Sequence, residues 1–229
     1  ASVAGRLEAA PADWTDRWRR VSRAVGRALA RVRPTVDEAD ALAEALLGVP
    51  PGGHLVVSSS MPVRDLEWFG PPVPDGVTVH ANRGANGIDG VLATAVGVAR
   101  TGASTVAVLG DLALLHDIGS LASARSLANL AVVVVDNGGG GIFSFLSQHE
   151  LPGIDTFERW WGTPQDADLA GIVGGWGLRV RTVKPAELAE ALRRRWVAGT
   201  PKGVDVFLVR STREDNLVQH RALISAATQ

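Results

Sequence analysis

The 229-residue chain has no cysteine, which excludes disulfides, thiolate metal ligands and a cysteine nucleophile. That absence fits a reducing cytoplasm. No apolar run approaches the ~18–20 residues that a membrane-spanning helix needs, so membrane insertion is not expected. Charge of one sign is also lacking. The 23 Lys+Arg against 24 Asp+Glu leave a formal net charge of -1, with no global field to attract nucleic acid or an anionic membrane. Lysine occurs only at Lys184 and Lys202, which we read as base-composition bias. No Gly-x-Gly-x-x-Gly opens a helix after the first strand, which removes the usual fingerprint of a nicotinamide-binding domain. There is no internal repeat or low-complexity segment. The start at Ala1, with no Met and no signal-peptide pattern, reads as a cut inside a longer chain.

What the sequence does have is apolar mass and periodicity. Hydrophobic residues make up 46%, enough for a core without staples. Trp14, Trp18, Val21, Val25, Leu29 and Val32 recur at spacings of three and four, predicting a helix over 13–32 that Pro34 ends. Basic residues in 17–33 alternate with apolar and acidic ones, as on a solvated helix face. Thr35-Val36-Asp37-Glu38 matches a capping box for a second helix that closes at Gly48. We therefore expect residues 1–34 to be the end of a preceding domain or a linker helix, and 35–229 to be the main domain. Beyond Gly48, short β-branched runs at 54–58, 77–80, 105–109, 130–135, 178–183 and 204–209 alternate with helical stretches at 88–99, 117–127, 167–176, 185–197 and 213–227. This order predicts an α/β fold, doubly wound, with a mainly parallel sheet of about six strands and helices on both faces. The run 130–135 is apolar throughout, as a strand covered on both faces should be.

In such folds ligands bind beyond the carboxyl ends of the strands. Polar and glycine-rich loops follow four of the runs: Ser58-Ser59-Ser60, Asn82-Arg83-Gly84, Gly110-Asp111 and Asp136-Asn137-Gly138. If the third and fourth strands are neighbours, Asp111 and Asn137 face each other. Magnesium takes hard oxygen ligands, commonly one or two from protein and the rest from water and phosphate. Asp111 can give a carboxylate, Asn137 an amide oxygen and Gly139 a main-chain carbonyl. Gly110 permits close backbone approach. The segment after Asp111 enters a helix whose N–H groups favour an anion. The run Gly138-Gly139-Gly140-Gly141 can wrap a ligand closely. Each loop alone is better explained as a turn; the two together, one strand-helix-strand unit apart, point to a metal–diphosphate site.

Gly110-Asp111 with Asn137 at this spacing resembles the diphosphate motif of thiamine-diphosphate enzymes. That motif usually ends in two Asn residues, and here Asp136 precedes the Asn. The resemblance implies thiamine diphosphate as cofactor, magnesium (with manganese as the alternative ion) on Asp111, Asn137 and Gly139, and cofactor contacts from Ser60, Gly110, Leu112, Gly140, Ile142 and Phe143. Other segments are similar to one branch of the family, the menaquinone-pathway synthases that join 2-oxoglutarate to isochorismate. These are Ser59-Ser60-Met61-Pro62-Val63-Arg64-Asp65, the string from Asn82 through Gly90, His116-Asp117, Ile142-Phe143 and Trp161-Gly162-Thr163-Pro164. By that resemblance Ser60, Arg64, Arg83, Ile142, Phe143 and Leu146 contact substrates. Arg64 and Arg83 suit the dicarboxylates because a guanidinium fork grips a carboxylate at two points. Locally, Arg64 could equally bridge Asp65 or Glu67, and Arg83 could bridge Asp89. Asn86 and Asp89 suit a helix cap near Ile88, His116 suits a structural role, and Trp160, Trp161 and Trp176 suit core or interface.

The family builds its cofactor site between domains, usually of different subunits, so self-association as a homodimer or homotetramer is implied. The glutamate that activates the cofactor is expected in an N-terminal domain that this chain lacks, since Glu38 and Glu44 precede the first strand. No catalytic residue is therefore expected within the chain, which should have little or no turnover alone. Two other functions fit parts of the pattern: another thiamine-diphosphate 2-keto acid decarboxylase or acetolactate-type synthase, and a noncatalytic module of the same fold.

Overall fold

A computed structural model describes residues 11–32, 37–82, 86–151, 153–197 and 203–228. Six strands form one sheet: β1 His54–Val57, β2 Thr78–Ala81, β3 Thr105–Gly110, β4 Leu130–Asp136, β5 Arg179–Thr182 and β6 Asp205–Arg210. Their order is β2-β1-β3-β4-β6-β5 and every pairing is parallel. The α/β expectation holds, and the strand runs match within a residue or two.

The two-residue period of a strand explains how one sheet serves two cores. Leu130, Val132 and Val134 of β4 join Ala107 and Leu109 of β3 in a cluster on one face. Ala131, Val133 and Val135 join Val106 and Val108 on the other, with Phe207. All of β4 is buried, so its continuous apolar run reflects cover on both sides. One cover includes α4 Val91–Ala99 and α8 Leu169–Gly175; the other includes α2 Asp37–Leu47 and α9 Leu188–Val197. Removing a buried leucine from such a layer costs roughly 2–5 kcal/mol.

The first helix, α1 Trp14–Val32, forms as its periodicity predicts. Near the end of its stripe Leu29 packs on Ala39, Phe69 and Leu223. Trp14 and Trp18 remain 48% and 59% exposed. Among the described residues no helix is long and apolar enough to cross a membrane.

Two helix expectations need correction. The stretch 117–127 is not one helix: α5 spans Asp111–His116, a 3-10 turn spans Ile118–Ser120, and α6 is the single turn Leu121–Ala124. The helix expected from 88 starts at Val91, behind Gly90 in a left-handed conformation (φ 68, ψ 12). Asn86 and Asp89 therefore do not cap it; Asn86 Oδ1 instead accepts from the Ile88 N–H at 3.1 Å in a local turn. The sequence reading also missed α3 Met61–Phe69, whose Pro62 sits in the first turn, where proline is tolerated.

Candidate functional site

The sheet reverses its winding between β1 and β3: β2 lies on one side of β1, and β3 and β4 follow on the other. In open α/β sheets a ligand crevice lies at such a point, beyond the carboxyl ends. A cavity of about 630 Å³ opens there. The register pairs Gly110 with Val135, so Asp111 emerges beside Asp136-Asn137. One strand further, Asp136 pairs with Arg210, which brings Ser211 to the same edge.

Of the expected site residues, Ser60, Gly110, Asp111, Leu112, Asn137, Gly139, Gly140, Ile142 and Phe143 line the cavity. Leu146 and Arg64 are not among its walls. Leu146 is exposed. Arg64 forms neither locally expected bridge; its Nη1 donates to the Ser60 carbonyl at 2.7 Å and the Ser59 carbonyl at 3.4 Å. Asp65 is instead 2.7 Å from His220 of α10 (Arg213–Thr228), both fully buried. Arg83 lies outside the described residues. His116 also lines the cavity and sits 3.7 Å from Asp89, a pair open to solvent. Trp160 is exposed, Trp161 stacks on Phe157 and Trp176 packs against the core.

Asp111 is buried, and its two oxygens are fixed from three directions. Oδ1 accepts from the Leu112 N–H at 2.7 Å, and Oδ2 from the Gly139 N–H at 2.8 Å and from Gln165 Nε2 at 2.7 Å. Burial raises its pKa, against the lowering effect of the Gln165 hydrogen bond. Gln165 also reaches Asp136 Oδ1 at 3.3 Å, so one amide spans two carboxylates. Asp136 is further paired with Arg210 at 2.9 Å.

Asn137 has an asymmetric environment. Its Nδ2 donates to Glu38 Oε1 at 3.0 Å, while its Oδ1 is buried without a hydrogen-bond partner. Glu38 lines the cavity too, is 2% exposed, and also accepts from Ser211 Oγ at 2.6 Å. Burial, the dominant influence, pushes its pKa up to about 7. The capping-box reading gave Glu38 a purely local role. Thr35, its partner in that reading, lies outside the described residues. The signal that could have exposed Glu38 is positional: it starts the stripe that continues through Ala41, Leu42, Ala45 and Leu46, all buried. An acid at an apolar stripe position needs a polar partner elsewhere.

The glycine run is a packed cradle. Gly139 has φ 146, and a Cβ there would lie 2.6 Å from the Gly162 carbonyl. The Gly140 N–H donates to Gly162 O at 2.7 Å, and Gln165 N donates to Gly138 O at 3.1 Å, so 162–165 closes behind the loop. Thr163, in the left-handed region at φ 42, completes that closure and faces the cavity. A Cβ at Gly110 would meet nothing nearer than 4.0 Å, which leaves open space at the strand tip.

Residues 73–206 match the family model described as thiamine pyrophosphate enzyme, C-terminal TPP binding domain. The chain belongs to this family. The match contains Asp111, Asn137 and Gly139, and leaves out Glu38, Ser60 and Arg64. Two curated relatives are similar over nearly all of the chain. Each is a 2-succinyl-5-enolpyruvyl-6-hydroxy-3-cyclohexene-1-carboxylate synthase. That of Myxococcus xanthus is 42% identical over 209 residues, covering 90% of this chain and 35% of the relative. That of Rubrobacter xylanophilus is 41% identical over 236 residues, covering 99% and 40%. The chain thus spans well under half the length of these relatives. Among solved structures, the thiamine diphosphate-dependent 4-hydroxybenzoylformate decarboxylase of Rhodococcus jostii RHA1 superposes with a TM-score of 0.58 at 18% identity, over 77% of this chain and 32% of that one, a likeness of fold.

The cofactor of this thiamine-pyrophosphate domain is thiamine diphosphate with a divalent metal. The residues present fit it. A buried carboxamide oxygen without a partner, a carboxylate beside it and a glycine-rich backbone make an all-oxygen donor set suited to a hard ion. Among the described residues no three of His, Asp or Glu cluster as a metal site; a magnesium-like ion commonly takes one or two protein oxygens and leaves the rest to phosphate and water.

Proposed function

We propose that Asp111, Asn137 and the Gly139 carbonyl hold the metal that anchors the cofactor's diphosphate, and that the whole protein decarboxylates 2-oxoglutarate and adds the remaining fragment to isochorismate. The observation that carries the site is the buried, unpartnered Asn137 Oδ1 beside Asp111 at the switch-point cavity. The similarity to two synthases at 42% and 41% identity supports the reaction. In this reading residues 35–229 are the diphosphate-binding domain and 1–34 the end of what precedes it.

When bound, thiamine diphosphate supplies a nucleophilic carbon and accepts the electrons released as carbon dioxide leaves. The chain's residues provide position and electrostatics. Asp111 neutralises part of the metal charge, and its three hydrogen bonds keep it from turning away. Ile142 and Phe143 form an apolar wall that limits water at the reacting carbon, where stray protonation would divert the product. Ser60 offers a hydroxyl at the cavity. Arg64 and Arg83 receive the substrate carboxylates, and Leu146 extends the wall. Arg64 stands one hydrogen bond behind Ser60, so this role requires it to release the Ser60 carbonyl when substrate enters. The activating glutamate comes from another domain, the site is completed by self-association, and the protein acts in the cytoplasm.

The test is calorimetric titration of Mg2+ and thiamine diphosphate into the full chain. Asp111→Ala and Asn137→Ala should each weaken cofactor binding by more than about 100-fold, as loss of a direct ligand outweighs the 10–100-fold typical of supporting residues. Wild-type affinity in both variants would refute the site. In the whole protein, Arg64→Ala should raise the KM for one dicarboxylate while leaving cofactor affinity unchanged; unaltered kinetics would exclude its substrate role.

A further inference from the structure

We infer that Glu38 is a positioning residue for the metal: it holds the Asn137 carboxamide in the orientation that presents oxygen, and not nitrogen, to the ion. The inference rests on the metal–diphosphate reading of the site. A carboxamide can turn end for end with little change of shape, and only its hydrogen-bond partners choose between the two poses. Here ionised Glu38 makes the choice. The Nδ2 end donates to Glu38 Oε1 at 3.0 Å. Turned over, Asn137 would set its own oxygen against a carboxyl oxygen and point an NH2 at the metal position. The same Oε1 is anchored from behind by Ser211 Oγ at 2.6 Å, and the Ser211 N–H donates to the Asp136 carbonyl at 3.0 Å. Helix α2, the tip of β4 and the tip of β6 thereby lock one side chain.

Packing alone does not explain an acid at this place. Glu38 is 2% exposed at the start of a stripe whose next members, Ala41, Leu42, Ala45 and Leu46, are apolar. Among the described residues no Lys, Arg or His forms an ion pair with it. An uncompensated buried acid is unfavourable for the fold. What it obtains is the amide nitrogen of a metal-ligand residue, the kind of outer-shell contact that orients ligands in metal sites.

The experiment measures Mn2+ affinity by electron paramagnetic resonance, in the full chain with thiamine diphosphate present, so binding is read without turnover. Glu38→Ala should weaken Mn2+ binding by about 10–100-fold. Glu38→Gln should stay within a few-fold of wild type, because its amide oxygen still accepts from Asn137 and Ser211. A swapped pair covers the case in which Glu38→Ala does not fold. Asn137→Asp sets two carboxyl groups face to face and should weaken binding. Glu38→Gln/Asn137→Asp puts the amide donor on position 38 and the oxygen ligand on position 137, and should restore it. If Asn137→Ala loses Mn2+ while Glu38→Ala does not, the positioning role is overturned alone. It is also overturned if Glu38→Gln falls as far as Glu38→Ala, or if the double variant is no better than Asn137→Asp. If Asn137→Ala keeps full affinity, the metal reading falls and the positioning role falls with it.

Discussion

Glu38 gives the metal-free protein a pH dependence whose size follows from its burial. Desolvation raises its pKa from 4.5 to about 7, against the hydrogen bonds from Ser211 and Asn137 and with the negative charges of Asp65 and Asp111. The folded protein therefore binds this proton more tightly than the unfolded chain does. The sign is fixed by linkage: the contribution is fully present below the unfolded pKa of 4.5 and is lost as pH rises through about 7. The full swing corresponds to about 3 kcal/mol. Glu38→Gln keeps the shape and the acceptor oxygen but cannot ionise. Between about pH 5 and about pH 8 the unfolding free energy of the variant should gain about 2–3 kcal/mol on that of the wild type. Asp65 and Asp111, which burial also raises, titrate in both proteins, so only their coupling to Glu38 enters the difference. The assay is urea unfolding with metal chelated, read by tryptophan fluorescence across that pH range. A difference that stays flat, or that shrinks as pH rises, would refute the assignment of a buried, ionisable Glu38.

The glycine cradle separates two outcomes. A Cβ at Gly141 would lie 2.7 Å from Asn137 Nδ2, so the carboxamide must leave its bond to Glu38. Gly141→Ala should cost about 1–3 kcal/mol, as for a buried polar group left unpaired, and weaken Mn2+ binding while the loop stays folded; unchanged affinity would count against the role of Asn137. At Gly139 the obstacle is backbone, with Gly162 O at 2.6 Å, so Gly139→Ala should destabilise the loop and abolish metal binding together, checked by thermal unfolding with and without Mn2+. His220→Ala leaves Asp65 buried without its partner and should cost about 3–5 kcal/mol by denaturant unfolding. A loss below about 1 kcal/mol would mean that solvent reaches Asp65.

The architecture was legible because it depends on local period. Two-sided apolar strands such as β4, punctuated by glycine and Asp/Asn turns, admit few arrangements other than a covered parallel sheet. The helix Met61–Phe69 escaped because nine residues opening on a proline-containing turn carry little periodic signal. The split of 117–127 escaped because its apolar residues suit several short turns as well as one helix.

By itself, then, the sequence determined the fold class and marked the loops at Asp111 and Asn137 as candidates for one site. Only the tertiary structure decided that β3 and β4 are neighbours in a register that sets those residues side by side. It alone supplied the groups that orient them: Gln165, 54 residues from Asp111, and Glu38, 99 residues from Asn137 and 173 from Ser211. The reason is one of range. Turns and amphipathic periods are written in neighbouring residues, whereas the partner of a buried polar side chain is chosen by which distant elements the packed sheet brings within hydrogen-bonding distance.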